Sequence, residues 1–241
     1  MWGVAWAGAW LEADMDGGEP RRPWVVGVSG ASGTPYAASV LRGLLDAGMA
    51  IDLIVSRAAR LTLLDETGLA WRDNAWPQSL ASWLGVDVDV DASAGVSGAA
   101  AQGWIRHWSP GDLAAGPSSG SYLTRGMIVV PASTAAVAGI ALGLSKDLLQ
   151  RAADVTLKER RTLVVVPREM PFTRSTLLHM LSLHEAGAVV AAASPGFYAG
   201  ATDAQALVDF VAGKVLDAAG VPNNLLRRWT GELGAARRPS P

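Results

Sequence analysis

Charged residues flank one short apolar run in the middle of the sequence, within residues 151–171. Arg151 and Lys158 precede the run and are separated by about two helical turns, which places them on one helix face. Arg168 and Glu169 follow the run directly, at the position where an open α/β sheet has its ligand crevice. We therefore expect several cations and one acid to face an anionic ligand.

The apolar run and the residues before it predict a helix that leads into a buried strand. Leu148, Ala152 and Val155 recur at i, i+4 and i+7, the spacing of one helix face. Residues 163–166 are continuous and mostly β-branched, and Pro167 ends them, as is typical of a short buried strand. The two charged clusters therefore bracket one strand.

The cations before the strand also have a purely structural interpretation. Lys158, Arg160 and Arg161 fall at the end of the predicted helix, where positive charge complements the helix dipole. From these residues alone, capping charges exposed to water are the simpler explanation.

Alternating strands and helices extend through the rest of the chain. They indicate an α/β fold, a three-layer, mostly parallel Rossmann-like (flavodoxin-like) sheet with helices on both faces. Further strands are predicted at 24–29, 51–55, 127–130 and 188–192, and helices at 34–47, 57–65, 175–186 and 203–218. We expect a single domain at 24–230, preceded by a poorly ordered extension, 1–23, and followed by a tail, 231–241.

The composition excludes several classes of function. Hydrophobic residues make up 50% of the 241 residues and charged residues 17%, which indicates a globular core. The net charge of -2 provides no general basic surface for nucleic acid. Cysteine is absent and the three histidines are not spaced as a metal pair, so we expect no metal site.

Two apolar stretches resemble membrane segments only superficially. The first eleven residues lack the cationic start of a signal peptide. Residues 126–145 carry no charge and are long enough to span a bilayer, but Pro131, Ser133 and Thr134 divide them. A strand, a polar loop and a Gly/Ala-rich helix explain this stretch better, and we expect a cytoplasmic protein with no membrane partner.

Small residues follow the first two predicted strands. Gly30, Ala31 and Ser32 lie in a loop that matches neither the dinucleotide fingerprint nor the P-loop. The second strand ends in Ser56, where a dinucleotide site would usually have an acid for the ribose. Because helix N-termini bind anions through backbone N–H groups, these loops favour a mononucleotide phosphate, although a purely structural glycine turn is equally compatible.

A third loop repeats the arrangement after the strand at 127–130. Ser133, Thr134, Ala135 and Ala136 begin a helix there and offer hydroxyl and amide groups to a phosphate. Ser133 also fits an ordinary N-cap, and the two roles are compatible.

The segment RAADVTLKERRTLVVVPREMP, residues 151–171, resembles the signature of the flavin prenyltransferases. This UbiX-like family belongs to the FMN-binding flavoprotein superfamily, which also includes cysteine decarboxylases. The motifs GVSGASGTPY, residues 27–36, and SRAA, residues 56–59, resemble the same family, in which they hold FMN. The resemblance extends from residue 25 to about 229, with its main gap at 71–116.

The resemblance implies a metal-independent enzyme. It would join the dimethylallyl group of dimethylallyl phosphate to N5 and C6 of reduced FMN. The product, prenylated FMN, would pass to a partner decarboxylase. The family also forms compact homo-oligomers, often homododecamers, so we expect the active site to be completed between subunits.

The resemblance also implies roles for individual residues. Glu66 would lie near the flavin as a catalytic residue, and Glu169, also catalytic, would donate a proton to the departing phosphate. Lys158, Tyr198 and Lys214 would bind that phosphate, with Lys158 counted as catalytic. FMN would be held by Gly30, Ala31, Ser32, Ser56, Ser133, Thr134, Ala135, Ala136, Arg151 and Arg168.

Lys214 is the clearest departure from the family pattern, which has an arginine there. Lysine keeps the charge but lacks the planar fork that holds two phosphate oxygens at once. An exposed helix cation without a phosphate role is the alternative.

Two other functions fit parts of the sequence. A flavin-dependent cysteine decarboxylase would share the fold, but its PASANT motif is PASTAA here, at 131–136, and its active-site histidine has no evident counterpart. A non-catalytic FMN-binding subunit of a decarboxylase system would keep the FMN loops without needing Lys158, Glu169 and Tyr198 together.

Overall fold

A central sheet lies between two layers of helices in the computed structural model. The described residues are 15, 16, 19, 20, 22–85, 88–91, 95–98, 104–197, 200–229 and 231. The strands are β1 Met15–Asp16, β2 Glu19–Pro20, β3 Trp24–Val28, β4 Ile51–Val55, β5 Val88–Asp91, β6 Gly95–Gly98, β7 Trp104–Trp108, β8 Gly126–Ala132, β9 Thr162–Pro167 and β10 Val189–Val190. The helices are α1 Thr34–Asp46, α2 Arg57–Thr67, α3 Trp76–Leu84, α4 Thr134–Ala141, α5 Leu148–Lys158, α6 Arg174–Glu185 and α7 Ala204–Ala218.

The strand order of the sheet is β10-β9-β8-β3-β4-β7-β6-β5. The six strands from β10 to β7 are mutually parallel, whereas β6 and β5 add an antiparallel edge. The predicted mostly parallel, flavodoxin-like sheet is therefore confirmed. The short β1–β2 hairpin is separate from it.

The interior of the sheet is covered on both faces. Strands β3, β4 and β8 are buried throughout, which explains why they are largely apolar instead of alternating, with Asp52 as the one charged residue within these three strands. One apolar cluster packs α1, α2, α3 and α7 against one face, and a second packs α4, α5 and α6 against the other. Each strand contributes alternate side chains to the two clusters.

The uncharged stretch at residues 126–145 divides as expected into β8 and α4. In the described part of the chain, no helix is both long and apolar enough to cross a bilayer. The stretch at 71–116, which gave no periodic pattern, contains α3, the antiparallel strands β5 and β6, and the parallel strand β7. The expected domain boundaries at 23/24 and 230/231 adjoin residues outside the described ranges and stay predictions.

Gly126 begins β8 where three strands meet, because it pairs with Trp24 on β3 and with Thr162 on β9. Its φ is 158°, and an added Cβ would lie 2.3 Å from the Thr162 carbonyl oxygen and 2.7 Å from the Trp24 ring. We expect Gly126→Ala to lower the free energy of unfolding by about 2 kcal/mol or more, since a backbone oxygen cannot rotate away.

Urea unfolding at fixed protein concentration measures this loss. Gly111→Ala is the matched control, because no described heavy atom outside its chain neighbours lies within 4 Å of a Cβ added there. Equal unfolding midpoints for the two variants would contradict the prediction.

Candidate active site

Three loops meet at the end of the sheet where the parallel strands have their carboxyl ends, which we call the cavity edge. They follow β3, β4 and β8, which are neighbours in the sheet, and they lead into α1, α2 and α4. A cavity of about 520 Å³ opens between them, within the size range of ligand sites. It is lined by Ser29, Gly30, Ser56, Arg57, Ala58, Pro110, Gly111, Leu113, Ser133, Ala135, Ala136, Lys146, Asp147, Leu149 and Gln150.

Ser29 joins two of these loops. Its hydroxyl donates to the Pro131 carbonyl oxygen at 2.8 Å and accepts from the Ser133 amide at 2.7 Å. With only 3% of its surface exposed, Ser29 fixes the end of β3 against the end of β8. The sequence placed Ser29 in the glycine loop without indicating this bridge, which depends on β3 and β8 being adjacent.

Ser56 caps α2, and Ser133 caps α4 as its N-cap interpretation predicts. Their hydroxyl groups accept from the amides of Ala59 and Ala136, at 3.1 and 3.2 Å. In each helix the N–H groups just after the cap have no intrahelical partner, which makes both N-termini suitable for an anion. Ser56, Ser133 and Ala136 line the cavity.

The remaining predicted FMN-loop residues lie at the same edge. Gly30 lines the cavity, and a Cβ there would lie 2.4 Å from the Cβ of Ala58, so the first two loops approach closely. Ala135 also lines it, whereas Thr134, the first residue of α4, is absent from the lining. Ala31 is buried and outside the lining.

The N-terminus of α1 is already occupied by Glu66. The Glu66 carboxylate accepts from the Gly33 amide at 2.7 Å, and from the Thr34 amide and hydroxyl at 2.8 and 2.7 Å. Burial opposes its ionisation, but hydrogen bonds from Ser32, Thr34 and Gly33 outweigh burial and hold the pKa of Glu66 below its usual value.

The anion site expected at α1 is therefore corrected. In this chain the amides of Gly33 and Thr34 bind a carboxylate from α2, so they are not open to a phosphate. No local pattern indicated this contact, because Glu66 lies at the end of the next helix. The N-termini of α2 and α4 remain available to an anion here.

Arg168 and Glu169 lie at the cavity edge of the sheet, directly after β9, as expected. The Arg168 Nε donates to the Ser32 carbonyl oxygen at 2.9 Å and its amide donates to the Ala132 carbonyl oxygen at 3.2 Å. Arg168 thus ties β9 to the loops after β3 and β8. Glu169 is exposed beside it and accepts from the Met170 amide at 2.9 Å.

Lys158 lies at the opposite end of the sheet, where the parallel strands begin. It is the last residue of α5, just before β9, whose first residue Thr162 pairs with Gly126 at the start of β8. β9 has six residues and spans about 20 Å, so Lys158 before it and Arg168 after it cannot face one ligand within a single chain. The expectation that both charged clusters face the same crevice is therefore wrong within a single chain, because α5 runs antiparallel to β9.

Arg151 is held away from the cavity by two partners. Its Nε donates to the Ser118 carbonyl oxygen at 3.1 Å, and its Nη1 pairs with the Asp154 carboxylate at 2.7 Å. Lys158 pairs with Glu159 at the far end of the same helix and holds the pKa of that carboxyl below its usual value. Neither cation lines the cavity.

Lys214 is an exposed cation on α7. Its Nζ is 3.8 Å from an Asp217 carboxylate oxygen, and Asp217 also pairs with Arg228 at 2.9 Å. The hydrogen bond from Arg228 is the main reason that the pKa of Asp217 is lowered. Lys214 does not reach the cavity of its own chain. Tyr198 lies outside the described residues.

Several residues of the cavity wall were not identified from the sequence. Arg57 follows the Ser56 cap and was the easiest to find, since it is a cation in the first turn of α2. Asp147 is the N-cap of α5 and its side chain accepts from the Gln150 amide at 2.9 Å. The other missed part is the loop at Pro110, Gly111 and Leu113, which has no motif of its own.

Comparison with known proteins agrees with this geometry. The Flavoprotein family matches residues 14–216. The flavin prenyltransferase UbiX of Streptomyces coelicolor is 66% identical over 218 residues, which cover 89% of this chain and 98% of that protein.

Two solved structures share the fold at 34% identity. AnUbiX (PadA1), in complex with FMN and dimethylallyl pyrophosphate, has a TM-score of 0.73 and covers 88% of this chain and 99% of its own. The dodecameric FMN-dependent UbiX-like decarboxylase from Escherichia coli O157:H7 has a TM-score of 0.71 and covers 87% of this chain and 100% of its own. Since the matches span nearly the whole chain, the protein belongs to the flavin prenyltransferase (UbiX) family of flavoproteins.

Proposed function

We propose that this chain joins the dimethylallyl group of dimethylallyl phosphate to N5 and C6 of reduced FMN. The observation that carries the proposal is the cavity framed by the N-termini of α2 and α4, with Arg168 and Glu169 at the same edge of the sheet. Family membership supplies the reaction class, and AnUbiX, a relative in fold, binds FMN and an allylic pyrophosphate.

The residues around the cavity fit a flavin mononucleotide. Its volume of about 520 Å³ lies within the range of ligand sites, and two capped helix N-termini offer amides to one phosphate. We assign the phosphate to the amides after Ser56 and Ser133, with Arg57 adding positive charge. Gly30 permits the close approach of two loops that forms this corner, because a side chain there would meet Ala58.

The chemistry needs charge stabilisation more than covalent catalysis. N5 of reduced FMN would bond to the allylic C1 as the C1–O bond breaks and the phosphate departs. C6 would then bond to the prenyl C3 across the allylic double bond, with the protons of N5 and C6 lost, one proton taken up at the prenyl C2 and one by the departing phosphate. Arg168 is placed to stabilise the charge on that phosphate, and Glu169, its exposed neighbour, to return a proton to it.

We propose that a second subunit completes the phosphate site. Lys158 lies at the far edge of its own sheet, so it acts on a phosphate only if that edge packs against the cavity of another copy. Large apolar side chains are exposed on a helical layer, between the end of the sheet that has the cavity and the end that has Lys158. This exposed surface supports assembly. The exposed side chains include Leu142, Leu144, Leu177, Leu178 and Leu181.

We propose a homododecamer by likeness to the dodecameric relative, and delivery of prenylated FMN to a partner decarboxylase. Both go beyond the fold of one chain. The exposed apolar side chains motivate the first, and the reaction product motivates the second.

The direct test is incubation of the purified protein with reduced FMN and dimethylallyl phosphate under anaerobic conditions. We expect the flavin to gain the mass of one dimethylallyl unit, detected by mass spectrometry of the released flavin. Arg168→Ala should slow the product by about a hundredfold, since it removes a charge-assisted contact to the leaving group. Unmodified flavin with the wild-type protein would contradict the proposed function.

Shared active sites predict complementation between two inactive variants. Lys158→Ala and Arg168→Ala chains carrying different tags are co-expressed, and mixed oligomers are isolated through both tags. If each site takes Lys158 from one subunit and Arg168 from another, random mixing restores roughly a quarter of the sites.

The control is each variant expressed alone, which should show little activity. Mixed oligomers that stay as inactive as the single variants would refute the shared site, and so would full activity of Lys158→Ala alone.

Lys214 predicts a selective effect on the second substrate. If it contacts the phosphate of dimethylallyl phosphate from a neighbouring subunit, Lys214→Ala raises KM for that substrate by about ten- to a hundredfold and leaves FMN affinity unchanged. Lys214→Arg is the matched control and should be tolerated or improve KM, because it restores the planar fork. Wild-type kinetics in Lys214→Ala would contradict the phosphate role and leave Lys214 as an exposed partner of Asp217.

A further inference from the structure

The segment at residues 109–122 forms one wall of the cavity without belonging to a long helix or a strand. It contains only a short 3-10 turn, Gly116–Ser118. Pro110, Gly111 and Leu113 from this segment line the cavity. Something other than regular secondary structure must therefore fix this wall.

Asp52 lies beneath this segment, in the interior of the sheet. It is in the middle of β4 and 0% of its surface is exposed. Because Ile54, two residues later, packs with α4, α5 and α6, the side chain of Asp52 faces the same layer. A carboxylate buried in this way is stable only if polar partners surround it.

The two oxygens of Asp52 bind opposite ends of the segment. Trp108 Nε1 donates to Oδ1 at 2.8 Å, just before the segment begins. The Tyr122 hydroxyl donates to Oδ2 at 2.8 Å, where the segment ends. One carboxylate thus joins Trp108 and Tyr122, the two ends of the segment. This is the geometry of a compact surface loop whose ends lie close together in space.

Neighbouring groups reinforce the two anchors. Arg106 is the cross-strand partner of Asp52, and its guanidinium carbon lies 4.9 Å from the centre of the Trp104 ring and 5.5 Å from that of Trp108. This stack holds the Trp108 indole in place by cation–π contact. At the other end, the Tyr122 ring covers Gly116, where a Cβ would lie 2.8 Å from the ring.

Two arginines from outside the segment bind backbone carbonyl groups in its second half. Arg161 donates to the carbonyl oxygens of Gly120 and Tyr122, at 2.7 and 2.8 Å. Arg151 donates to the Ser118 carbonyl oxygen at 3.1 Å. The segment is therefore attached along its length, and Asp52 binds a side chain at each of its ends.

We propose that Asp52 is a positioning residue for the active site: by binding Trp108 and Tyr122 together, it holds Pro110, Gly111 and Leu113 in the cavity wall. Its effect on ligand binding rests on the proposed function, since FMN is the ligand assigned to the cavity. Asp52 does not line the cavity, so it acts through the segment and not by contact with the flavin.

A purely structural carboxylate would change stability without changing the site. Tyr122→Phe separates the two cases, because it removes one hydrogen bond and keeps the ring over Gly116. Asp52→Asn is the second variant, since an amide cannot accept from both donors through two oxygens. The matched control is Ser39→Ala, which removes the hydrogen bond from Ser39 to Asp209 on the opposite face of the sheet.

Two measurements are made on the full-length oligomer. Hydrogen exchange by mass spectrometry, without ligand, should show faster exchange at 109–121 in Tyr122→Phe and Asp52→Asn, with β3 and β8 unchanged. Titration with FMN, followed by flavin fluorescence, should show about tenfold weaker binding in both. Ser39→Ala should lower the melting temperature while leaving segment exchange and FMN affinity at wild-type values.

Unchanged exchange at 109–121 in Tyr122→Phe would overturn the anchoring role. Faster exchange with wild-type FMN affinity would overturn its link to the cavity. Wild-type protein that does not bind FMN would contradict the proposed function, and the exchange result would still decide whether Asp52 anchors the segment.

Discussion

The parallel pairing of β3 with β4 and β8 is the constraint on which the site depends. In a parallel sheet all carboxyl ends point to one edge, so the helices that follow these strands begin side by side. Ser29 locks this arrangement by binding the β8 loop through both its hydroxyl hydrogen and its oxygen. The capped N-termini of α2 and α4 then line one cavity, and Arg168, at the end of β9, binds the loop that follows β3.

The direction of β9 also places the charged residues before and after it at opposite ends of the sheet. Arg168 and Glu169 follow β9 and lie at the cavity edge, whereas Lys158 precedes β9 and lies at the other. Glu66 occupies the N-terminus of α1, so a negative group of the protein stands where an open helix would attract a ligand. The proposed anion site therefore uses the N-termini of α2 and α4, and the proposal of a shared phosphate site follows from the separation of Lys158 from Arg168.

The sequence was sufficient for the parallel sheet and for part of the site. Buried strands were recognised as apolar, mostly β-branched runs, and the Ser133 cap of α4 was recognised from its position before a helix. Contacts between distant segments could not be predicted, such as the Glu66 cap and the Asp52 anchor, because no local pattern encodes them. The predicted position of Lys158 was wrong for a different reason. Helical spacing shows which face of a helix a residue occupies, but the direction of the helix decides at which end of the strands that residue lies.

The central claim is that helix N-termini in this cavity bind the phosphate of a flavin mononucleotide. Parallel anaerobic titrations of the protein with reduced FMN and reduced riboflavin, which lacks the phosphate, test it most directly. Two N-termini acting on one phosphate predict that riboflavin binds at least about tenfold more weakly, and that the difference falls as ionic strength rises. Equal affinities for the two flavins would contradict the account.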